Sequence, residues 1–151
     1  MIRVLVGATA LSLIAAPSLA QADQGSVQPA SSQELSPGIS KAVEILKSKK
    51  LGKSLFYMEL VDNGADRPNL RFNAYYLRAG DDTIRSISPE DFDGALKAIQ
   101  GDLGKLSEMD WRSLTIVVDD DNATVTKSAT TGPPSEWNAR SSEVIRRAFS
   151  D

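Results

Sequence analysis

The side chains best suited to chemistry in this sequence are carboxylates, because the chain contains neither histidine nor cysteine. Those absences exclude a Ser-His-Asp triad, a thiol nucleophile and a zinc site of nitrogen and sulfur ligands. Acid–base chemistry would fall to carboxylates, lysine or tyrosine. Two groups of carboxylates stand out, a run before Asn122 and a cluster at the predicted start of a helix: Asp119, Asp120 and Asp121, and Glu90, Asp91 and Asp93.

The aspartate run does not have the spacing of a calcium-binding loop. Such a loop places oxygen ligands at positions 1, 3 and 5, glycine at position 6 and glutamate at position 12. Counted from Asp119, position 6 is Thr124 and position 12 is Thr130, and the loop that begins at Asp62 fails the same test. Weak calcium binding at the aspartate-rich turn stays open. The sequence predicts no cofactor, no metal site and no catalytic residue.

The same six acids are candidates for contact with a protein partner. A carboxylate-pair hydrolase needs two acids about 5 to 10 Å apart in a cleft, and no nucleophile–base pair stands out here. The sequence therefore favours a protein that is not an enzyme. Clustered acids speed capture of a basic partner and fix its register, although they also serve plain solubility.

The first 22 residues have the pattern of a secretory signal peptide. Arg3 provides the positive end, residues 4–16 the apolar core, and small residues allow cleavage after Ala20 or Ala22. The apolar core is shorter than the roughly 20 residues of a membrane-spanning helix. We expect a periplasmic or secreted protein without a stable membrane anchor after signal cleavage.

The chain after the signal peptide is moderately acidic. Arg3 is the only charge lost with it, so 16 basic and 20 acidic residues remain, a net charge of −4. This balance argues against a nucleic-acid partner, because phosphate binding needs a basic face. Residues 23–35 are polar and without periodicity, which is typical of a disordered N-terminal lead. Residues 36–151 are long enough for a single domain whose core needs no disulfide.

Helix signals occur at three places in that domain. Ser36 as N-cap with Pro37 at the first helical position predicts a helix over residues 37–49. A second helix opens at Ser88 and carries an apolar stripe at helical spacing: Phe92, Leu96, Ile99, Leu103 and Leu106. Glycines 101 and 104 within this stripe suggest a kink or a close approach of helix and sheet.

A last helix opens at Ser135–Glu136 and bears Trp137 and three arginines, Arg140, Arg146 and Arg147. The arginines fall mostly off its apolar side, which favours a solvated face over an anion site.

Strand signals lie between these helices. Residues 55–61 and 70–77 are predicted strands, and residues 83–87 are a third candidate. Residues 113–119 and 124–126 form a hairpin about the aspartate turn, since Asp and Asn favour turns. The expected fold is α+β, an antiparallel sheet of four to five strands in the order α-β-β-(β)-α-β-β-α. Its helices are expected on one side of the sheet.

The hairpin resembles that of a known family. Residues 111–119, WRSLTIVVD, are similar to the Trp-x-Ser-Leu-Thr-Leu-x-Leu-Asp hairpin of the YezG-type immunity (antitoxin) family. The likeness extends over roughly residues 39–149 in the layout of helices and strands. It implies that Trp111 and the row Leu114, Ile116 and Val118 are core. The family has glycine where this chain has Asn122, a residue that accepts a left-handed turn.

The resemblance implies a small α+β protein that binds and neutralises a partner toxin, without cofactor or catalytic residues. Together with the signal peptide, it predicts an exported immunity-like protein that acts by occlusion in the periplasm. The alternative is a periplasmic accessory or small-ligand-binding domain. Its apolar pocket would lie between sheet and helices, with Tyr57, Tyr75 and Tyr76 as candidate linings.

Overall fold

The computed structural model describes residues 35–150, so the predicted signal peptide and nearly all of the 23–35 lead lie outside the described residues. Three helices are present in this part: α1 (Pro37–Ser48), α2 (Pro89–Gly101) and α3 (Trp137–Ala148). Five strands accompany them: β1 (Lys53–Val61), β2 (Asn69–Leu77), β3 (Arg85–Ser86), β4 (Ser113–Asp119) and β5 (Asn122–Ser128). The predicted element order and the α+β class are confirmed.

All pairings in the sheet are antiparallel, and the strand order is β3-β2-β1-β4-β5. β1 is the central strand. It forms a hairpin with β2, with Glu59 opposite Arg71, and it pairs on its other side with β4, with Glu59 opposite Ser113. Strand β5 is the last strand at one edge, and the two-residue β3 is the last at the other.

One face of the sheet packs against α1 and α2. The predicted row Leu114, Ile116 and Val118 is buried on this face, and Trp111 is buried beside it. Three rings from β1, β2 and α2 also meet there, those of Phe56, Phe72 and Phe92. This apolar layer holds most of the core.

The helices do not all lie on one side of the sheet, so the prediction of helices on one side only is wrong. Helix α3 covers the opposite face, where the ring of Trp137 stacks on that of Tyr57 at 5.2 Å between centroids. The reason lies in β1, which is buried without interruption from Ser54 to Leu60. A strand covered on both faces carries apolar side chains on both, so it needs a helix on each side.

Helix α2 ends at Gly101, before the predicted apolar stripe does. Leu106 lies in a separate 3₁₀ turn, Leu106–Glu108, although Leu103 is buried. Glycine weakens a helix by up to about 1 kcal/mol relative to alanine, which favours an end here. Gly101 has open space around it, so the expected close approach does not occur at this residue.

The close approach occurs instead between α1 and α2. The backbone N–H of Gly38 donates to Asp102 Oδ2 at 2.8 Å, and a Cβ at Gly38 would collide with the Ala98 carbonyl oxygen. Only glycine at position 38 therefore allows α1 and α2 to make this close contact.

Local sequence preferences explain the start of α1 and the turn between β4 and β5. Ser36 caps α1 as predicted, with its Oγ accepting from the Ile39 N–H. Asp120 takes the left-handed conformation in the hairpin turn, with φ of +51°, whereas Asn122 was the residue expected to take it. Asn122 is instead the first residue of β5 and pairs with Asp119.

Candidate functional site

The three aspartates at the turn between β4 and β5, here called the hairpin tip (Asp119, Asp120 and Asp121), are exposed. Within residues 35–150, no lysine or arginine nitrogen lies within 4 Å of their carboxylates. A groove of about 360 Å³ separates the tip from the end of α1, and its lining includes Lys47 and Lys50. The tip is thus an acidic surface with basic side chains nearby but no ion pair.

The acids at the start of α2 are arranged differently. Asp91 forms a 3.3 Å ion pair with Lys49, which directly follows α1, and Asp93 forms a 2.7 Å ion pair with Lys97. The hydrogen bond from Ser88 and the nearby Lys49 ammonium together lower the pKa of Asp91. Glu90 is exposed beside them. Lysines in and just after the last turn of α1 therefore lie next to both predicted acidic groups, and the charge at the start of α2 is largely compensated.

A further carboxylate, not among the predicted site residues, lies at the centre of the sheet. Glu59 on β1 is 4% exposed and faces α3. Arg140 of α3 donates to both of its oxygens, from Nε to Oε1 and from a terminal nitrogen to Oε2, each at 2.8 Å. The Tyr57 hydroxyl donates to Oε1 at 2.5 Å. The arginine was predicted to lie on a solvated face, and this prediction is wrong for Arg140.

The protonation of this cluster follows from its contacts. Burial by itself raises the pKa of Glu59, but the hydrogen bonds from Arg140 and Tyr57 outweigh it and hold that pKa below its ordinary value. Burial and the Glu59 carboxylate raise the pKa of Tyr57 to about 12. Both groups thus keep one protonation state near neutrality, whereas a general acid or base works best with a pKa near the working pH.

Arg71 of β2 lies on the solvent side of the cluster around Glu59. Its guanidinium lies over the Trp137 ring at 5.5 Å from the centroid, and its Nη1 donates to the Pro134 carbonyl at 3.2 Å. Arg140 also donates to the Pro133 carbonyl at 2.9 Å. Two arginines therefore hold the segment that leads into α3 against the sheet.

Beside this cluster, a cleft of about 290 Å³ opens where β1 ends. Arg71 and Arg112 line it together with Leu60, Leu106, Gly132 and Pro134, and Glu59 and Asp62 also contribute. The tyrosines of the alternative hypothesis do not share one pocket. Tyr57 is buried under Trp137, and Tyr76 packs against the core on the other face.

Sequence reasoning missed Glu59 and its partner, although one signal was present. A glutamate in the middle of the apolar run Leu55–Val61 is unusual, because a buried carboxylate needs a charged or hydrogen-bonding partner. The run therefore predicts some cation on an element that packs over β1. It does not say which of the chain's 17 lysines and arginines that is.

Across the part of the chain that the structure describes, no three acidic side chains come together in a way that could hold a metal ion. In the same part, no helix is long and apolar enough to cross a membrane.

Comparisons with family models, with curated proteins and with solved structures each give no match to this chain.

Proposed function

We propose that this chain is an exported, non-catalytic binding protein that engages a basic protein partner through its β4–β5 hairpin. The observation that carries the proposal is that the acidic side chains of the hairpin tip are exposed and form no ion pair within residues 35–150. Its three carboxylates have no ion-pair partner among residues 35–150, whereas Asp91 and Asp93 do. Unpaired exposed acids are free to form new ion pairs with a partner, which raise the association rate and fix orientation.

The edge of the sheet adds a second contact surface next to the tip. Strand β5 has seven residues and, within residues 35–150, a neighbouring strand on one side only. The strand contains no proline, and its one charged side chain, Lys127, is held by Asp110 at 2.9 Å. Edges that lack proline and free charge are open to pairing with another strand. A partner strand could add to β5 while its basic side chains meet the tip.

The resemblance to YezG-type immunity proteins suggests what kind of partner this is. We propose that the partner is a toxin and that this protein neutralises it by occluding its surface. The predicted signal peptide places this encounter in the periplasm. The cluster around Glu59 is consistent with a binding role, because its carboxylate is already engaged by Arg140 and Tyr57. A reactive carboxylate would need a free lone pair and a higher pKa.

Charge removal at the tip tests the proposal. The triple variant D119N/D120N/D121N removes three charges, and asparagine at position 120 tolerates the left-handed turn. The matched control D66N/D82N/E108Q also removes three exposed charges, from positions outside the hairpin. Each protein is used to capture partners from envelope extract at 50 and 300 mM salt, and captured species are tested for toxicity with and without added protein.

The expected result is a stoichiometric partner that is lost with the tip variant, retained with the control and weakened by salt. Its toxicity should fall as the wild-type protein approaches a 1:1 ratio. A partner that both variants retain equally would overturn the hairpin as the contact surface. Turnover of a substrate by the purified protein would overturn the non-catalytic role.

A further inference from the structure

We propose that the cleft at the end of β1 is a binding site for a small carboxylate, held by Arg71 and Arg112. This site is separate from the hairpin and does not depend on the role proposed for it. Three features carry the inference: two guanidinium groups without a carboxylate partner, their fixed positions, and the apolar walls between them.

Neither arginine has an anionic partner in the described part of the chain. No carboxylate oxygen of residues 35–150 lies within 4 Å of either guanidinium. Both residues are nevertheless only partly exposed. A half-buried cation loses hydration without gaining an ion pair, so an anion that enters the cleft has favourable electrostatic energy to gain.

Backbone carbonyls hold both groups in place. Arg112 Nη1 donates to the Met109 and Trp111 carbonyls, each at 3.2 Å, and Arg71 Nη1 donates to the Pro134 carbonyl. The Trp137 ring supports the Arg71 guanidinium from one side. Each guanidinium has five N–H donors in a rigid fork, so donors remain for a ligand. Their positions are set before a ligand arrives, which lowers the entropy cost of binding.

The acids near the cleft do not satisfy these arginines. Glu59 lies directly opposite Arg71 in the β1–β2 register, yet its carboxylate is taken by Arg140 and Tyr57. Asp62 on the rim accepts from the Gly64 N–H at 2.9 Å through one oxygen. Arg140, which does not line the cleft, neutralises Glu59. Among the described lining residues, Arg71 and Arg112 then remain against Asp62 alone, an excess of one positive charge.

The size and walls of the cleft define the ligand class. Its volume of about 290 Å³ is at the lower end of small-molecule sites. Leu60, Leu106 and Pro134 supply apolar surface beside the two cations. A compact monocarboxylic acid with a branched or aromatic body matches both features, whereas a bare inorganic anion would leave the apolar walls unused.

Isothermal titration of the purified protein with benzoate tests the site, with benzamide and inorganic phosphate as matched probes. We expect saturable 1:1 binding of benzoate with a Kd of the order of 0.1 to 1 mM, a range set by so few ligand atoms. Benzamide, which has the same shape without the charge, should bind at least about tenfold more weakly. Equal binding of benzoate and benzamide, or of benzoate and phosphate, would overturn the proposed ligand class.

Variants locate the site and separate binding from folding. R112Q and R71Q should each weaken benzoate binding about tenfold or more, and R112K should fall between wild type and R112Q because it keeps charge but not the planar fork. R78Q, at the other end of β2, is the control and should bind normally. Thermal melts identify a variant that fails to fold; if R71Q does so, R112Q decides. Undiminished binding by folded R112Q would overturn the proposal.

Discussion

Glu59 and Arg140, which are 81 positions apart in the chain, form a bidentate ion pair that joins the central strand to α3. The two nitrogen–oxygen distances are equal, 2.8 Å, and the carboxylate is almost completely buried. Paired N–H···O bonds of this kind fix orientation as well as distance. The pair therefore fixes the position of α3 on the second face of the sheet, together with the stacking of Trp137 on Tyr57.

Loss of Arg140 should destabilise the protein strongly. R140A leaves the Glu59 carboxylate buried without its cation, which costs about 3 to 5 kcal/mol in comparable sites. The lower end is expected, because the Arg140 side chain retains 22% exposure. R147A is the control: it breaks an exposed pair with Glu143, so its stability should stay close to that of wild type.

Urea denaturation at pH 7 measures these free energies of unfolding. The double variant E59M/R140M should be more stable than R140A, because neither charge is then left buried without a partner. Similar unfolding midpoints for R140A and R147A would contradict the view that this ion pair holds α3.

The contribution of Glu59 should disappear in acid. Its folded-state pKa lies below the ordinary value of 4.5, because the hydrogen bonds from Arg140 and Tyr57 outweigh the effect of burial. The stabilisation is therefore complete above about pH 5 and is lost as the pH falls through the folded-state pKa. The difference in unfolding free energy between wild type and E59Q should shrink over this range.

Urea midpoints at pH 7, 5, 4 and 3 follow that difference. E44Q, on the exposed side of α1, serves as the control for the loss of a glutamate charge. A wild-type advantage over E59Q that stays constant down to pH 3 would count against the assigned role.

Tyr57 should ionise at a much higher pH than an ordinary tyrosine. Burial and the neighbouring Glu59 carboxylate raise its pKa from 10.0 to about 12. Because the folded state favours the neutral phenol, the associated stability is present below pH 10 and is lost between pH 10 and 12. Absorbance at 295 nm should show a component with a midpoint near pH 12 that is missing in Y57F.

The same Y57F variant should lose about 1.5 to 3 kcal/mol at pH 7, the typical contribution of a hydrogen bond to a charged group. For the titration at 295 nm, a Tyr57 component with its midpoint at pH 10 would show that the phenol is not buried beside the Glu59 carboxylate.

Two glycine-to-alanine changes should have opposite effects. At Gly38, a new Cβ would collide with the Ala98 carbonyl and the Asp102 carboxylate, so G38A should separate α1 from α2 at a cost of about 1 to 3 kcal/mol. At Gly101, the space is open, so G101A should be neutral or stabilising by up to about 1 kcal/mol. Thermal unfolding of both variants beside wild type gives the sign of each change.

Much of the fold was predictable because it depends on local pattern. Capping by Ser36 and the apolar spacing after it determine α1, and alternation determines which residues of β4 point into the core. The aspartate run marks the hairpin turn through its own backbone preferences. Periodicity, however, says only which residues share a face of an element. It overestimated the length of α2, where glycines end the helix before the apolar stripe does.

The sequence by itself thus determined the elements, their order and the apolar row of the hairpin. Tertiary structure alone decided that α3 crosses to the second face, that Glu59 meets Arg140, and that Arg71 and Arg112 line one cleft. These contacts join residues about 40 to 80 positions apart, and they exist only once the strands have taken the order β3-β2-β1-β4-β5. Strand order is set by the packing of the whole chain, which no local pattern encodes.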